Sequence, residues 1–459
     1  MEFVIAILAV TVTALIVMEP GSLVFALCVP MAIMALLSFD LFVCAMVFLL
    51  PWYPFIGWKL PVRDVFLLGR FVLLAGVWIL QQKKGISLKN WLWEGWLKKG
   101  IVVFAAIAVI SLLASDSRGT LGPYKAIAKL LSYAAVFFSI VGWAQTRERI
   151  ATIIKVLLIS TIGVALFGFY QAFDGSLTGL YFRLYPDMEE VFDVQGGWSG
   201  RITSFLFHYN SLAGYLNVVI PFALGVVVLR KDRWMRVLGF TCLSTATAAL
   251  YLTSSRGGLI AYGAVALLSV WYLVPRRVTV AVILASVLVA VAIALPLTAK
   301  GEVQAERLQS VDDFTQQSRL ALWGAAGIMF LEHPVLGAGF GTYRFTFHQH
   351  VPWIIDDLDS HNLYLQTLAE TGVIGFSVFF IAMGAFFRTG ARLIKSDDPL
   401  WRIVGIGVCG ALAATMVHGL VDYIFIASPQ FGNLFWLVLA LATTAATLEG
   451  SQRKNAVVS

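Results

Sequence analysis

Residues 210–229 read NSLAGYLNVVIPFALGVVVL, and Arg230, Lys231, Asp232 and Arg233 follow at once. A run of this length without a charged side chain matches the about 20 residues that a helix needs to cross a bilayer. A basic cluster directly behind it is the mark of a cytoplasmic loop. The same alternation recurs along the chain. Apolar runs fall near 3–18, 22–38, 41–52, 65–80, 101–114, 125–144, 151–172, 210–229, 237–253, 258–274, 278–298, 363–387, 403–421 and 432–448. The runs 41–52 and 101–114 are short, and Pro30 interrupts the second run. The expected fold is all-α, a polytopic membrane helical bundle of about 12–14 transmembrane helices.

Composition excludes the other classes. Of 459 residues, 59% are apolar and 13% charged, against about a quarter charged in a soluble domain. A soluble globule could not cover this chain with polar surface. A disordered chain would be poor in apolar residues and rich in charge. The net charge of +7 invites a nucleic-acid partner, but the basic residues lie in short clusters between apolar runs, so none is expected. Cys28, Cys44, Cys242 and Cys409 each sit inside an apolar run without metal-ligand spacing. They read as packing residues rather than a disulfide framework or a zinc site. Met1-Glu2 leads straight into apolar sequence with no basic n-region or clear cleavage site, so the first run reads as a retained span.

Lys and Arg set the orientation. They cluster at Lys83, Lys84, Lys89, Lys98 and Lys99; at Arg147, Arg149 and Lys155; at Arg230, Lys231, Arg233 and Arg236; at Arg276 and Arg277; at Arg388, Arg392, Lys395 and Arg402; and at Arg453 and Lys454. From residue 81 onward these segments alternate with the others without a parity error, which places them, and the C-terminus, in the cytoplasm. The opposite face receives 115–124, 173–209, 254–257, 299–362 and 422–431. All the histidines (His208, His333, His348, His350, His361, His418) fall in or near that outer face, with most of the acids. Groups that can titrate near neutral pH are thus gathered on one side.

Two outer segments, 173–209 and 299–362, are far longer than the rest, and long loops in compact proteins are commonly functional. Within the second, Gln317–Glu332 carries Leu320, Trp323, Ala326, Gly327, Phe330 and Leu331 at helical spacing. This predicts an amphipathic helix on the membrane surface or over the bundle mouth, ended by His333-Pro334. Gly337, Gly339 and Gly341 follow in LGAGFG. That run lacks a Walker lysine-serine pair and a βαβ setting, so it is not read as a nucleotide loop. The chain divides into N-terminal helices (1–172), central helices with the first outer loop (173–298), the large loop (299–362) and C-terminal helices with the tail (363–459).

Candidate chemistry lies along the outer face. Arg256 stands in Thr253-Ser254-Ser255-Arg256-Gly257-Gly258 at a span edge, where a guanidinium is costly unless it meets an anion or a partner. Its planar fork suits a phosphate; a snorkelling interfacial arginine is the plainer alternative. Arg319 begins the loop helix. Arg201 precedes Phe207-His208-Tyr209-Asn210, and Arg344 follows the glycine run. His361, between Ser360 and Asn362 at a loop–helix junction, could act as a general base on a hydroxyl. His418 and Asp422 close a span at the same face. Asp356, Asp357 and Asp359 with His348 and His350 read as a solvated acidic loop rather than a metal site.

The combination resembles the O-antigen ligase and O-antigen polymerase family of bacterial membrane glycosyltransferases. The matching stretches are Leu252–Gly258; Ser318-Arg319 with Trp323, His333-Pro334 and Leu336–Gly341; His361–Gln366 with Ala369–Gly375; and Asn210 with Leu212–Tyr215. The resemblance implies a membrane bundle of the C type and no metal or other cofactor. It implies transfer of a glycan from an undecaprenyl-diphosphate donor to a sugar hydroxyl, on the periplasmic face of the bacterial inner membrane. Both termini are expected in the cytoplasm. Lipid A–core is the acceptor expected for a ligase, which is favoured, and another glycan repeat for a polymerase. By motif, the diphosphate falls to Arg256 and Arg319 and the acceptor to His361. Arg201, Arg344, Asn362, Asp422 and His418 are secondary substrate-binding candidates. A membrane transporter of the inorganic-carbon type is the alternative from another class. It would call for ionisable residues at mid-membrane and internal repeats, where only Arg70 and Lys129 come near and no repeat is seen.

Overall fold

A computed structural model describes residues 38–52, 62–116, 121–173, 201–206, 208–273, 275–297, 313–354, 358–424 and 428–458. The expected runs 3–18 and 22–38 lie outside these residues. The regular structure described is helical throughout: α1 (Phe39–Leu49), α2 (Val62–Lys83), α3 (Leu88–Trp93), α4 (Trp96–Leu113), α5 (Leu121–Trp143), α6 (Arg147–Phe173), α7 (Tyr209–Leu229), α8 (Arg233–Leu252), α9 (Arg256–Tyr272), α10 (Arg276–Leu297), α11 (Asp313–Glu332), α12 (Tyr343–Thr346), α13 (Leu363–Ile394), α14 (Pro399–His418) and α15 (Pro429–Val458). Among the described residues, 8 helices are long and apolar enough to span a membrane: α4 to α8 and α13 to α15. The chain is an all-α polytopic membrane bundle. The runs 258–274 and 278–298 are helices too, and 41–52 falls in the short apolar helix Phe39–Trp52, of which α1 is the larger part.

The bundle is built around α7, which is enclosed on nearly every side by α8, α9 and α14. Small residues let the helices approach, as is usual where no hydrophobic effect separates lipid from protein. Gly407 of α14 lies against the Phe222 ring of α7, and Gly410 against Pro221. At the basic end of the bundle, Arg147 donates from Nε and Nη2 to the two oxygens of Asp398, both at 2.9 Å. Burial alone would raise Asp398, but these charge-assisted bonds hold its carboxyl below the ordinary range. Asp398 also caps α14 through the Leu400 N–H.

The opposite end carries the large loop, and one backbone arrangement fixes it there. Gly372, inside α13, has φ 61 and ψ −170, a conformation that is essentially reserved for glycine. The helical ladder breaks at this point. In a continuous helix the N–H groups of Val373 and Ile374 would donate to the carbonyls of Ala369 and Glu370. They donate instead to Pro334 (2.9 Å) and Val335 (3.3 Å). The freed carbonyls of Ala369 and Glu370 accept from Ala338 (2.8 Å) and Gly339 (3.1 Å). The glycine loop is thus exchanged into the hydrogen-bond ladder of a membrane helix, and these four backbone groups of the helix all find partners in it. Gly337, at φ 75, passes so close that a Cβ would strike the Glu370 carbonyl carbon and the Thr371 nitrogen.

α11 differs in part from the reading of its periodicity. It ends at Glu332, ahead of His333-Pro334, as expected, but begins earlier, at Asp313. Its buried face is Leu322, Ala325, Ala326 and Met329, packed on Tyr343, Phe347, Val351, Ile354 and Ala369. Leu320 (64% exposed) and Leu331 (75% exposed), expected on the packed face, point away from it. Tyr343 Oη donates to the Leu322 carbonyl at 2.7 Å, pinning α11 to the segment after the glycine loop.

Candidate active site

Five helix ends meet at the loop end of the bundle. The segment before α7 is tied to the end of α8 by Ile202 N–H to Leu252 O, 3.3 Å. Ser255 caps α9 by accepting from Gly258 N–H at 3.1 Å, and its hydroxyl donates to Asn210 Oδ1 on α7 at 2.7 Å. Asn362 caps α13 by accepting from Tyr364 and Leu365 N–H, both at 3.0 Å. Its amide donates to Leu420 O at 3.0 Å, beyond the end of α14. Gly257 has no side chain because there is no room for one. A Cβ there would lie 2.6 Å from Val421 and 3.0 Å from the His418 ring. The N-termini of α7, α9 and α13 therefore open at the same place, each with a partial positive charge suited to an anion.

The titratable groups converge on Asp422, which is 5% exposed. Its Oδ1 accepts from Tyr423 N–H at 2.7 Å and faces His361 Nδ1 at 3.3 Å. Burial would raise this carboxyl, but the hydrogen bond and charge of His361, with His418 and His208 nearby, hold it well below the ordinary range. An ionised carboxylate only accepts, so the proton of that pair sits on His361 Nδ1. In the neutral imidazole Nε2 would then carry the lone pair, on a ring still part-exposed to solvent.

His208 caps α7, its Nδ1 accepting from Asn210 N–H at 3.2 Å. Burial takes this imidazole down to about 4; Asp422 pulls the other way, while His361, Arg201 and His418 add to the fall. The folded state thus binds the His208 proton more weakly than the unfolded chain, whose ordinary value is about 6.5. Stability is then fully present above about pH 6.5 and is lost as the pH falls toward 4. The thermal midpoint in detergent is expected to drop between pH 7 and pH 5. In His208→Asn, which keeps a capping acceptor, most of that drop should vanish; an unchanged pH profile would refute the assignment.

Arginines lie near these groups. The Arg201 guanidinium lies 4.4 Å from the centre of the Tyr209 ring, a cation–π contact. Arg319, on α11, interacts electrostatically with His418. Arg256 is the first residue of α9, beside Gly257 and so beside His418, with its own side chain exposed. Among the described residues, Arg201 Nε, both ring nitrogens of His418 and Asp422 Oδ2 are buried without a hydrogen-bond partner. Unsatisfied groups of this kind are rare in folded proteins and call for an explanation. The positive-φ residues other than glycine are Ser204, Ser254 and His361 among the described residues, at φ 50, 51 and 52. Ser254 and His361 border the site directly, and Ser204 lies in the segment that Ile202 ties to it. Such strain costs about 1–3 kcal/mol per residue and gathers at functional sites.

Of the residues singled out from sequence, the structure brings together His361, Asp422, His418, Arg319, Arg201 and the Arg256 backbone. Asn362 belongs to the frame, with its side chain occupied in capping. Arg344 sits apart, exposed on α12, where its neighbour Phe345 covers Gly122. His348 and His350 face other partners, the Ile354 carbonyl (2.8 Å) and Glu332 (3.4 Å). No three His, Cys, Asp or Glu side chains among the described residues are grouped to hold one ion. Asp356 and Asp357 lie outside the described residues. His208 and Tyr209 were not among the candidate site residues; their place seven and eight residues after Arg201 was the available signal.

The chain is 23% identical over 375 residues to the teichuronic acid biosynthesis protein TuaE of Bacillus subtilis (strain 168), covering 77% of this chain and 72% of the relative. Fold and likeness together define a glycosyltransferase-type membrane enzyme of polysaccharide biosynthesis. Residues 241–380 match the model of the O-antigen ligase family. The matched stretch holds Arg256, Arg319, Arg344, His361 and Asn362. Arg201, His208, His418 and Asp422 are contributed from outside it.

Proposed function

We propose that this protein transfers a glycan from an undecaprenyl-diphosphate donor to a sugar hydroxyl at the extracytoplasmic face of the bacterial inner membrane, with lipid A–core as the favoured acceptor. The observation that carries the reading is the His361–Asp422 pair near Arg201 and Arg319, at the helix ends where α9 begins with Arg256. In the proposed step His361 Nε2 takes the proton of the acceptor hydroxyl. The hydroxyl oxygen forms a bond to the anomeric carbon, and the bond from that carbon to the diphosphate breaks. The electron pair leaves on the diphosphate oxygen, and configuration inverts. Asp422 holds the imidazole in the required tautomer and stabilises the imidazolium that forms. The guanidinium groups and the three helix N-termini stabilise the negative charge that develops on the leaving group. The departing diphosphate is a good leaving group, and the reading calls for no metal or cofactor.

A second reading, polymerisation onto another glycan repeat, is favoured by the relative, whose name ties it to the biosynthesis of teichuronic acid. One assay tests both. Purified protein in detergent is supplied with lipid-diphosphate-linked glycan, with or without rough lipopolysaccharide. Undecaprenyl diphosphate released only when lipopolysaccharide is present, with glycan attached to it, is the expected result. Chains that lengthen on donor alone would replace ligation by polymerisation, and no release under either condition would refute the transfer.

A further inference from the structure

Glu370 is a buried carboxyl, 1% exposed, that the proposed reaction does not use. Its side chain accepts from three donors: the backbone N–H of Tyr343 at 3.3 Å, Gln366 Nε2 at 3.2 Å, and the backbone N–H of Gly341. Its own carbonyl accepts from Gly339 N–H at 3.1 Å and from Ser111 Oγ of α4 at 2.6 Å. One residue therefore closes the glycine loop onto the kinked helix from both its backbone and its side chain. Gln366, one turn earlier, also donates to Asp359 at 3.0 Å and accepts from Ser360 N–H at 2.8 Å. The same carboxyl thus reaches the strand of loop that leads into His361. On its other side, Tyr343 hands the constraint on through its hydroxyl to the Leu322 carbonyl of α11, less than one turn from Arg319.

We propose that Glu370 is a positioning residue for the donor: through Gly341 and Tyr343 it fixes α11 so that Arg319 is presented to the diphosphate. The inference rests on the reading of Arg319 as a diphosphate ligand. Glutamine at 370 is nearly isosteric. Its carbonyl oxygen can keep the bonds from Tyr343 and Gln366, which both end on Oε1, but its amide then faces the Gly341 N–H and loosens the clasp. Phenylalanine at 343 removes one hydrogen bond and leaves the ring in place.

The test measures binding of farnesyl diphosphate, a short prenyl diphosphate, to the purified full chain in detergent, with stoichiometry and Kd recorded separately. Glu370→Gln and Tyr343→Phe are each expected to weaken Kd about 3- to 10-fold at unchanged stoichiometry. Arg319→Ala should weaken it at least as much. Adding either variant to Arg319→Ala should change nothing further, because both act through the same contact. A loss of stoichiometry or of thermal midpoint with Kd intact would mean that Glu370 is merely structural, and would overturn the proposal. Effects that multiply with Arg319→Ala would overturn it too, while leaving Arg319 as a ligand. A wild-type Kd in Arg319→Ala alone would remove the underlying reading and the proposal with it.

Discussion

Alanine in place of His361 is expected to lower the rate of glycan transfer by about 10²- to 10⁴-fold, the contribution of a positioned general base. The loss should appear in kcat rather than in donor binding, because the imidazole faces the acceptor. No neighbouring histidine is placed to substitute. His208 spends its Nδ1 on capping α7, and His418 is buried behind Gly257. Asp422→Asn should cost less than His361→Ala. An asparagine oxygen can still accept from Nδ1, but it offers no charge to the imidazolium that forms. Initial rates of undecaprenyl diphosphate release, with folding followed by thermal unfolding, check both variants. Wild-type turnover in His361→Ala would remove the base from the proposed mechanism.

Arg256→Ala and Arg319→Ala are expected to lower kcat/KM for the lipid-linked donor by about 10²- to 10³-fold each, the usual cost of losing one charge-stabilising donor from a preorganised site. Lysine should not restore Arg256. A single ammonium cannot offer two parallel N–H groups to a diphosphate, whereas the guanidinium fork can. Both variants should leave the thermal midpoint close to that of the wild type. Arg256 is exposed and Arg319 half-buried, and neither has an ion-pair partner among the described residues. The check is donor-saturation kinetics in the same release assay. Equal kcat/KM for Arg256→Lys and wild type would mean that the charge acts only at long range.

Much of this architecture was legible in the chain, and the exceptions have physical causes. Long apolar runs give helices because only a helix satisfies its own backbone in lipid, so 210–229 and 403–421 come out as α7 and α14. His361 was readable as a loop–helix junction because Asn362 is a strong N-cap. The packed face of α11 was not readable. Amphipathicity identifies a buried stripe only when the other face must be polar, and here Leu320, Ile328 and Leu331 are all exposed. The pairing of His361 with Asp422 spans 61 residues of sequence and depends on how α13 meets α14, which no periodicity encodes. The glycine run invited thoughts of a ligand. Its actual neighbour is the chain itself at Glu370 and Thr371, and only the second segment, Glu370-Thr371-Gly372, makes the first intelligible.

The exchange of hydrogen bonds between Pro334–Gly339 and Ala369–Ile374 has a mechanical consequence. A flap that merely rests on a bundle can lift to admit a bulky sugar and settle again at little cost. This one is stitched into the membrane helix, so lifting it would break four backbone hydrogen bonds at once. The stitched stretch is therefore part of the rigid chassis, and whatever movement admits a glycan must be sought in segments that share no ladder with α13.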